Sequence, residues 1–354
     1  MNHFSRVLLA LLFFVSADHV VAQNDSVMRA HFINVGQGAA ALLEFPCGVV
    51  IIDAGAQDDE YEAKLMDYLA RFFKRRKDLN NTIDLVMVTH PHVDHNQALM
   101  QLAQTYRVDR YIDNGMRTGS GKANQKWLQD NAAGADILYE NITFEKVTKN
   151  GNKKGLTDSI IDPINCPTGN PAIVMYSGQF VNQPDNWSKT AFSNANNHSL
   201  VVKVTFGKSS LLFTGDLETE GIKTLLEHYS GTKALDADVL LVGHNGAKNA
   251  TTEDYLQTVT PNIAVISCGP WNYGKNEGSG FNTYSYGHPR ISTLNMLGYY
   301  IPGRRSETIT VQAAEGARDF RPYTVDKKIY ATPWDDHIVV RADLYGKYTV
   351  TTTD

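Results

Sequence analysis

One run of six residues constrains this sequence more than any other feature, because it concentrates metal-binding side chains directly after an apolar segment. The run is His90-Pro91-His92-Val93-Asp94-His95, and it follows the apolar stretch from Ile83 to Val88, which is predicted to be a core strand. Imidazole and carboxylate groups are the ligands that Zn²⁺ and similar divalent cations accept. Because the whole chain has only 11 histidines, three within six residues favour a metal site over a polar loop.

The spacing inside this motif predicts two metal positions. A loop that leaves a strand can turn alternate side chains the same way, so we expect His90 and His92 to face one point. Asp94 and His95 then face a second point one turn further on. Two ions held in this manner lie about 3.5–4 Å apart, which is the separation found in two-metal hydrolases.

Three more candidate ligands adjoin predicted core strands elsewhere in the chain. Asp216 follows the strand Ser210 to Phe213, His244 follows the strand Val239 to Val242, and His198 precedes the strand Leu200 to Phe206. A carboxylate at the end of a strand can bridge two metals with its two oxygens. The alternative for Asp216 is a cap of the helix predicted from Thr219 to Tyr229. All three residues can lie on the same rim of the fold as the histidine motif.

Composition limits the class of protein. Hydrophobic residues make up 42% and charged residues 20% of the 354 residues, which is typical of a globular chain and excludes a disordered or fibrous one. The formal net charge of −5 argues against a protein that coats DNA with a basic surface. It leaves open a nuclease that contacts few phosphates.

The first 22 residues have the pattern of a secretory signal peptide. The apolar run from Val7 to Ala17 is too short to cross a bilayer, which takes about 20 residues, and Ala22 is a suitable cleavage residue. We therefore predict export to the periplasm or medium, with cleavage before Gln23; the alternative is an uncleaved anchor. The mature chain, residues 23–354, is predicted to have no stable membrane association. Its cysteines, Cys47, Cys166 and Cys268, permit one disulfide and leave at least one thiol free.

The order of predicted elements indicates the fold. Strands, a helix from Glu60 to Lys77, further strands and further helices alternate along the chain. This order predicts an α/β (α+β) fold, a four-layer αββα sandwich in a single domain. Residues 150–184 are rich in Gly, Pro, Asn and Ser and are predicted to be a surface insertion. From about residue 301 the chain is predicted to form a β-rich extension.

Together these motifs resemble the metallo-β-lactamase-fold hydrolases. Within that superfamily the flanking segments are similar to the hydrolase domain of the bacterial DNA-uptake (competence) protein family ComEC. The shared segments, in chain order, are Asn34-Val35-Gly36-Gln37-Gly38, Asp53-Ala54-Gly55, Asn196-Asn197-His198-Ser199-Leu200-Val201, Thr214-Gly215-Asp216-Leu217-Glu218, Ala237-Asp238-Val239-Leu240 and Tyr286-Gly287-His288-Pro289. The resemblance extends over roughly residues 28–300 and implies the same αββα fold.

The resemblance also implies roles for individual residues. The first metal is expected to bind His90, His92 and His198, the second is expected to bind Asp94, His95 and His244, and Asp216 is expected to bridge them. Zn²⁺ is the expected metal, with Mn²⁺ or Fe as alternatives. Asp94 is expected to orient the nucleophile or take its proton. His288 is expected to contact the substrate or to donate a proton.

Two positions depart from the family pattern. Ala39 stands where the family usually has an Asp after its Val-Gly-Gln-Gly segment. Asn245 follows His244 where the family usually has a second histidine. If that second histidine were the ligand, Asn245 would be a poor substitute and the second metal would bind weakly.

The resulting functional prediction is an exported two-metal hydrolase. It is expected to cleave a small or polymeric phosphoester or phosphodiester by means of a metal-activated hydroxide. Nucleic acid is one candidate for the polymeric substrate. One alternative is a β-lactamase or lactonase of the same superfamily; lactamases often add a Cys ligand, and Cys268 is the thiol nearest to a motif. The other is a non-catalytic metal-binding relative, for which the Ala39 and Asn245 departures are the support.

Overall fold

The computed structural model describes residues 27–276 and 280–353. The predicted signal peptide, residues 1–22, lies outside these described residues. Within the described ranges, no helix combines the length and the apolar character that crossing a bilayer requires.

Strands and helices alternate along the described chain. The strands are β1 (Val27–Phe32), β2 (Ala40–Glu44), β3 (Val49–Ala54), β4 (Thr82–Ile83), β5 (Leu85–Met87), β6 (Arg107–Val108), β7 (Arg110–Asp113), β8 (Leu138–Asn141), β9 (Pro171–Ser177), β10 (Val201–Phe206), β11 (Ser209–Phe213), β12 (Val239–Leu241), β13 (Ile263–Ile266), β14 (Arg304–Gly316), β15 (Asp319–Lys327), β16 (Ile329–Ala331), β17 (His337–Asp343) and β18 (Tyr348–Thr353).

The α-helices are shorter on average than is usual, and several are single turns. They are α1 (Asp59–Arg75), α2 (Val93–Asn96), α3 (Leu99–Thr105), α4 (Lys122–Asn131), α5 (Phe144–Val147), α6 (Lys189–Ser193), α7 (Thr219–Tyr229), α8 (Glu253–Val259), α9 (Thr283–Tyr286), α10 (Ile291–Tyr300) and α11 (Thr332–Asp335). Short 3₁₀ turns occur at Lys77–Leu79, Ala133–Ala135, Lys149–Gly151, Ala195–His198 and His244–Gly246.

Two mixed sheets form the centre of the fold. The first has the strand order β18-β17-β1-β2-β3-β5-β7-β8, and the second has the order β16-β13-β12-β11-β10-β9. The sheets pack face to face through apolar side chains; Phe32 of β1 stacks on Phe213 of β11 with ring centroids 6.2 Å apart. Two small pairs, β14-β15 and β4-β6, complete the described strands.

Helices cover the outer face of each sheet. Leu65, Leu69 and Phe72 of α1 are buried against β3, because the apolar residues of this helix recur three to four positions apart. The helix begins where the Asp58 carboxylate accepts a hydrogen bond from Tyr61 N. On the second sheet, α7, α8 and α10 bury an equivalent apolar face. The predicted αββα sandwich is therefore confirmed.

The segment 150–184 is not the surface insertion that its composition suggests. Its residues 171–177 form β9, which pairs with β10 at the edge of the second sheet. Ile161 and Ile164 are buried between the two sheets, and Cys166 is joined to Cys47 in a disulfide. The prediction of a surface insertion was wrong for two reasons. Pro171 suggests a loop, although an edge strand tolerates proline at its start. The apolar residues of β9 are also few and are flanked on both sides by turn-forming residues.

The β-rich region after residue 301 is likewise integral to the sandwich rather than appended to it. β17 pairs with β1 along six residues and β18 extends that sheet, while β16 is the edge strand beside β13. The hairpin of β14 and β15 packs against α10. The C-terminal part of the chain therefore completes both sheets.

Candidate metal centre

The loops that follow three strands meet at one rim of the sandwich. His90 to His95 follow β5 in the first sheet, whereas Asp216 follows β11 and His244 follows β12 in the second sheet. The approach is close enough to require glycine at position 215: this residue has a φ of +51°, and a Cβ there would lie 2.7 Å from Thr89 Oγ1. The two sheets thus contribute ligands to a shared space.

Three side chains form the centre of this space. Ligand atoms of His90, His95 and Asp216 all lie within 4.8 Å of one another, and all three side chains are buried. His95 Nε2 is 3.0 Å from Asp216 Oδ1, and His90 Nε2 is 3.8 Å from Asp216 Oδ2. The first of these contacts lacks hydrogen-bond alignment, so His95 Nε2 is a buried nitrogen with no hydrogen-bond partner among the residues that the structure describes. Such an atom, facing a carboxylate, fits a metal ligand.

Three more of the predicted ligands surround this centre. His92 Nδ1 lies 3.1 Å from His90 Nε2, and Asp94 Oδ2 lies 3.8 Å from His95 Nε2. His244 Nε2 lies 3.9 Å from Asp216 Oδ2. Six of the seven predicted ligands therefore converge. Asp216 lies between the others, with Oδ1 toward His95 and Oδ2 toward both His90 and His244.

A second set of groups orients the two innermost histidines. Asp53 Oδ2 accepts a hydrogen bond from His95 Nδ1 at 2.7 Å, so Nε2, which faces Asp216, is the nitrogen of His95 that could bind a metal ion in exchange for its proton. The Thr89 hydroxyl donates to the same Asp53 oxygen at 3.0 Å, which leaves Thr89 Oγ1 to accept from His90 Nδ1 at 3.2 Å. His90 Nε2 then presents a lone pair inward. Sequence reasoning gave no role to Asp53 or Thr89.

The charges of the centre suit a cation. Burial, with the neighbouring His95, lowers the pKa of His90 well below its ordinary value, so this imidazole is neutral and able to coordinate. Burial also opposes the charged form of His95, but Asp216 and Asp53 raise the pKa of His95 well above its ordinary value. Despite its burial, the pKa of Asp216 is held well below its usual range by His95 and His244. A divalent ion matches these lone pairs and carboxylates.

The structure does not bring His198 into this cluster, which corrects the role expected for it. Phe180 N donates to His198 Nδ1 at 3.1 Å, and His198 Nε2 donates to the Phe192 carbonyl at 2.6 Å. Its ring also contacts Phe180, Trp187 and Phe192 edge-on. Since both ring nitrogens are bound to backbone groups, His198 is a packed residue that joins α6 to the segment that follows β9.

A cavity of about 300 Å³ opens onto the candidate ligands. Its lining consists of Gln37, His92, Asp94, Ser120, Asn196, Asp216, His244, Asn245, Phe281, Tyr286 and His288. His288, predicted to contact the substrate, is thus placed beside the ligands, with its ring centroid 5.7 Å from that of His244. Burial, assisted by His244 and Arg290, lowers the pKa of His288 to about 3, so this imidazole is neutral at pH 7.

Most of the chain matches a known protein family. A sequence model of the Metallo-beta-lactamase superfamily matches residues 33–269, more than half of the chain, and this segment includes the six converging residues. The chain belongs to the metallo-β-lactamase superfamily. The resemblance stated from the motifs is therefore confirmed.

Within the superfamily, the chain is related to competence proteins. ComE operon protein 3 of Bacillus subtilis (strain 168) is 27% identical over 279 residues, covering 75% of this chain and 30% of that protein. Competence protein ComA of Neisseria gonorrhoeae is 38% identical over 102 residues, covering 29% of this chain and 13% of that protein. Recombination protein 2 of Haemophilus influenzae is 43% identical over 77 residues, covering 22% of this chain and 9% of that protein. The chain thus spans less than a third of the length of these relatives.

Solved structures are more distant. The metallo-beta-lactamase fold protein YhfI from Bacillus subtilis matches with a TM-score of 0.40 and 12% identity, covering 68% of this chain and 86% of that chain.

The two departures from the metallo-β-lactamase relatives meet in space. Ala39 and Asn245 line the same small space beside His95 and Asp216. His244, rather than Asn245, is the residue next to Asp216, while Asn245 Nδ2 donates to Asp94 Oδ2 at 3.3 Å. Asn245 therefore acts on the centre through Asp94. Its φ of +53° is one that Asn adopts more readily than most residues.

The thiol weighed as an extra ligand lies elsewhere. Cys268 is fully buried in the apolar layer between the second sheet and its helices, and its backbone N donates to Thr332 Oγ1. Burial raises the pKa of this thiol well above its ordinary value. Cys268 is therefore a core residue, and the candidate metal centre consists of imidazole and carboxylate groups.

Proposed function

We propose that this chain is an exported hydrolase that holds two divalent metal ions, Zn²⁺ in the first instance, and cleaves a phosphoester or phosphodiester. The observation that carries the proposal is the buried group of His90, His95 and Asp216, which is flanked by His92, Asp94 and His244 and opens onto a polar cavity. When bound, such ions supply hydroxide at neutral pH and neutralise negative charge on the substrate.

The protein's own residues would then act as follows. Asp53 and Thr89 fix His95 and His90 with their lone pairs toward the ions. Asp94 borders the cavity, where its carboxylate would orient an attacking water and accept its proton. His288, neutral at pH 7, lines the same cavity beside His244 and would contact a substrate oxygen there.

Two observations favour a phosphoester substrate. The cavity is lined by polar groups, among them Ser120, Asn196 and His288. Such groups can hydrogen-bond to the oxygens of an anionic substrate, whereas they would be left without partners by an apolar substrate. The relatives named for recombination and competence also direct attention to nucleic acid as the polymeric form of such a substrate. We therefore place phosphodiesters, with single-stranded DNA among them, first in any assay.

Export is part of the same proposal. The pattern of residues 1–22 supports a cleaved signal peptide, and the disulfide between Cys47 and Cys166 suits an oxidising compartment. The test is to recover the protein from its native cell fractions and determine its N-terminus by mass spectrometry. We expect Gln23 as the first residue in the periplasm or medium; a first residue of Met1 in the cytoplasm contradicts this part of the proposal.

A hydrolysis screen with metal analysis tests the catalytic part. The purified, Zn²⁺-loaded protein is assayed on phosphodiesters, phosphomonoesters, single-stranded DNA, lactones and a cephalosporin, beside the variant His90→Ala. We expect close to two metal ions per chain, turnover of a phosphodiester, and loss of both in the variant. Turnover of only the lactone or cephalosporin supports the lactonase or lactamase alternative. Full metal content without any turnover supports a non-catalytic relative.

A further inference from the structure

A chain of three hydrogen bonds connects the backbone to His288 through Thr283 and Gln37, two residues that the proposed chemistry does not use. Gly269 N donates to Thr283 Oγ1 at 2.8 Å, and Thr283 Oγ1 donates to Gln37 Oε1 at 2.9 Å. Gln37 Nε2 is then 3.0 Å from His288 Nδ1. Gln37 and Thr283 are almost completely buried, with 1% and 0% of their surface exposed, so water does not compete for these bonds.

The direction of each bond follows from the kinds of atom involved. A backbone N–H can only donate, so Thr283 Oγ1 accepts from Gly269 and uses its own proton toward Gln37 Oε1. That contact orients the Gln37 amide with its NH₂ group toward His288. If the oxygen and nitrogen of the Gln37 amide exchanged places, the NH₂ group would face the Thr283 hydroxyl. That buried hydroxyl would then lose Gln37 Oε1, the acceptor that it has among the described residues.

The orientation of the amide sets the position of the proton on the imidazole. An amide nitrogen donates and does not accept, so His288 Nδ1 must accept and carries no proton. The single proton of this neutral ring is therefore on Nε2. His288 lines the cavity beside Asp94 and His244, and Nε2 has no hydrogen bond to the described residues.

We propose that Gln37 is a positioning residue that holds His288 as the Nε2–H tautomer, so that His288 donates a hydrogen bond to a substrate oxygen instead of releasing a proton to the leaving group. The inference rests on the proposed hydrolytic function and specifies one of its parts. A neutral imidazole holds its remaining proton strongly and acts as an electrophile by hydrogen bonding. It favours substrates that present an acceptor oxygen at this point, such as a non-bridging phosphoryl oxygen.

The two roles of His288 differ in their dependence on the leaving group. A proton donor is dispensable when the leaving group is a weak base such as nitrophenolate, which departs without a proton. A hydrogen bond to a non-bridging oxygen stabilises the transition state whatever the leaving group is. If His288 acts by hydrogen bonding, impairing it should lower the rate by the same factor for every leaving group. If His288 donates a proton, the loss of rate should become smaller as the leaving group becomes a weaker base.

The tautomer is measured by NMR independently of any activity. Zn²⁺-loaded protein is labelled with ¹⁵N-histidine, and the His288 ring signals are assigned by their disappearance in His288→Asn. We expect a protonated Nε2 and an unprotonated Nδ1 in the parent protein. In Gln37→Glu, where a carboxylate faces Nδ1, we expect that nitrogen to become protonated. A protonated Nδ1 in the parent protein, or unchanged signals in Gln37→Glu, overturns the assignment.

Kinetics test the consequence for the reaction. We expect Gln37→Met to keep its metal and to lose kcat by up to about 10²–10³-fold, which is the cost of removing a preorganised donor outright, equally for phosphodiesters with good and poor leaving groups. Thr283→Ser, which keeps the hydroxyl, should retain the parent rate, and Gln125→Met controls for the loss of a buried glutamine away from the cavity. A loss confined to poor leaving groups contradicts the inference. If the parent protein cleaves no phosphoester, the proposed function fails, and the NMR result still decides the role of Gln37.

Discussion

Asp53 accepts a hydrogen bond from His95 across 2.7 Å, and this contact determines which nitrogen of His95 faces the metal centre. The carboxylate is held in turn by Thr89, whose backbone N donates to Asp53 Oδ1 at 2.7 Å and whose hydroxyl donates to Asp53 Oδ2 at 3.0 Å. A carboxylate that fixes a ligating histidine from behind raises its basicity and its affinity for metal. Asp53 therefore supports the candidate metal centre from behind His95, although it is not among the residues that line the 300 Å³ cavity.

We predict that Asp53→Asn weakens metal binding by about 10–100-fold, the usual effect of removing such an orienting carboxylate. Asn is the suitable replacement because Asp53 has a φ of +60°, which Asn tolerates better than most residues. Chelator competition followed by elemental analysis measures the affinity. Asp113→Asn is the matched control, since Asp113 is also a buried carboxylate at the end of a strand in the same sheet. Equal affinities in the two variants would remove Asp53 from the centre.

We predict that Asp216→Ala loses metal and hydrolytic activity together. Asp216 is the residue that faces His90, His95 and His244 at once, so its loss affects every proposed metal position. The alternative role as a helix cap is not what the structure shows, because the residue at the N-cap of α7 is Glu218. Elemental analysis and steady-state rates on the same preparation provide the test. A variant with the parent's metal content and rate is incompatible with a bridging carboxylate.

His198 provides the sharpest contrast between its expected and its observed position. We predict that His198→Gln keeps the parent's metal content, whereas His92→Gln loses metal. The cost of His198→Gln should appear in stability, because Phe180 N and the Phe192 carbonyl lose well-placed partners. An unsatisfied buried polar group costs about 1–3 kcal/mol. Metal analysis and chemical denaturation on both variants measure the two effects, and loss of metal from His198→Gln restores its role as a ligand.

The same residue predicts a dependence of stability on pH. Burial lowers the pKa of His198 from its ordinary value near 6.5, so the unfolded chain binds this proton more readily than the folded one. The contribution of His198 is therefore fully present above about pH 6.5 and is lost as the pH falls below that value, by up to about 1.4 kcal/mol per pH unit. Other buried histidines also titrate, so the measurement is the difference between the parent and His198→Gln.

Denaturant unfolding of metal-free protein from pH 7.5 to 5 makes this comparison. We expect the free energy of unfolding of the parent to approach that of His198→Gln as the pH falls. Parallel curves at every pH mean that His198 does not titrate on folding.

The features that the sequence predicts best are helices and motifs whose residues lie close together along the chain. The helix expected from Thr219 to Tyr229 has the same bounds in the structure, because the residue pattern that predicts a helix is local. The motif from His90 to His95 is likewise local, because all its candidate ligands lie within six consecutive residues. Asp216 and His244 could be found because each directly follows a buried strand, and parallel strands end at one edge of a sheet.

The remaining errors concern relationships between distant parts of the chain. His198 adjoins a core strand as Asp216 does, but its ring turns toward Phe180 and Phe192 instead of the ligand space, and proximity to a strand does not specify that direction. Asp53 and Gln37 stood in recognised motifs, yet their roles depend on partners 42 and 251 residues away. A charged residue at the end of a buried apolar strand was the available signal for Asp53.

The disulfide leads to the last prediction. Cys47 and Cys166 are 119 residues apart in sequence, and their bond ties the turn between β2 and β3 to the segment before β9. Closing so long a loop restricts the unfolded chain, and removal of a native disulfide costs roughly 2–4 kcal/mol. We therefore predict that the double variant Cys47→Ser/Cys166→Ser unfolds at a lower denaturant concentration than the parent while keeping its metal, because neither cysteine borders the ligand space. Treatment with a reductant should lower the stability of the parent to that of the double variant and leave the variant unchanged. Since Cys268 is a free, buried thiol in both proteins, it cancels in the comparison. A parent whose stability is insensitive to complete reduction of the bond would show that this cross-link contributes nothing to the fold.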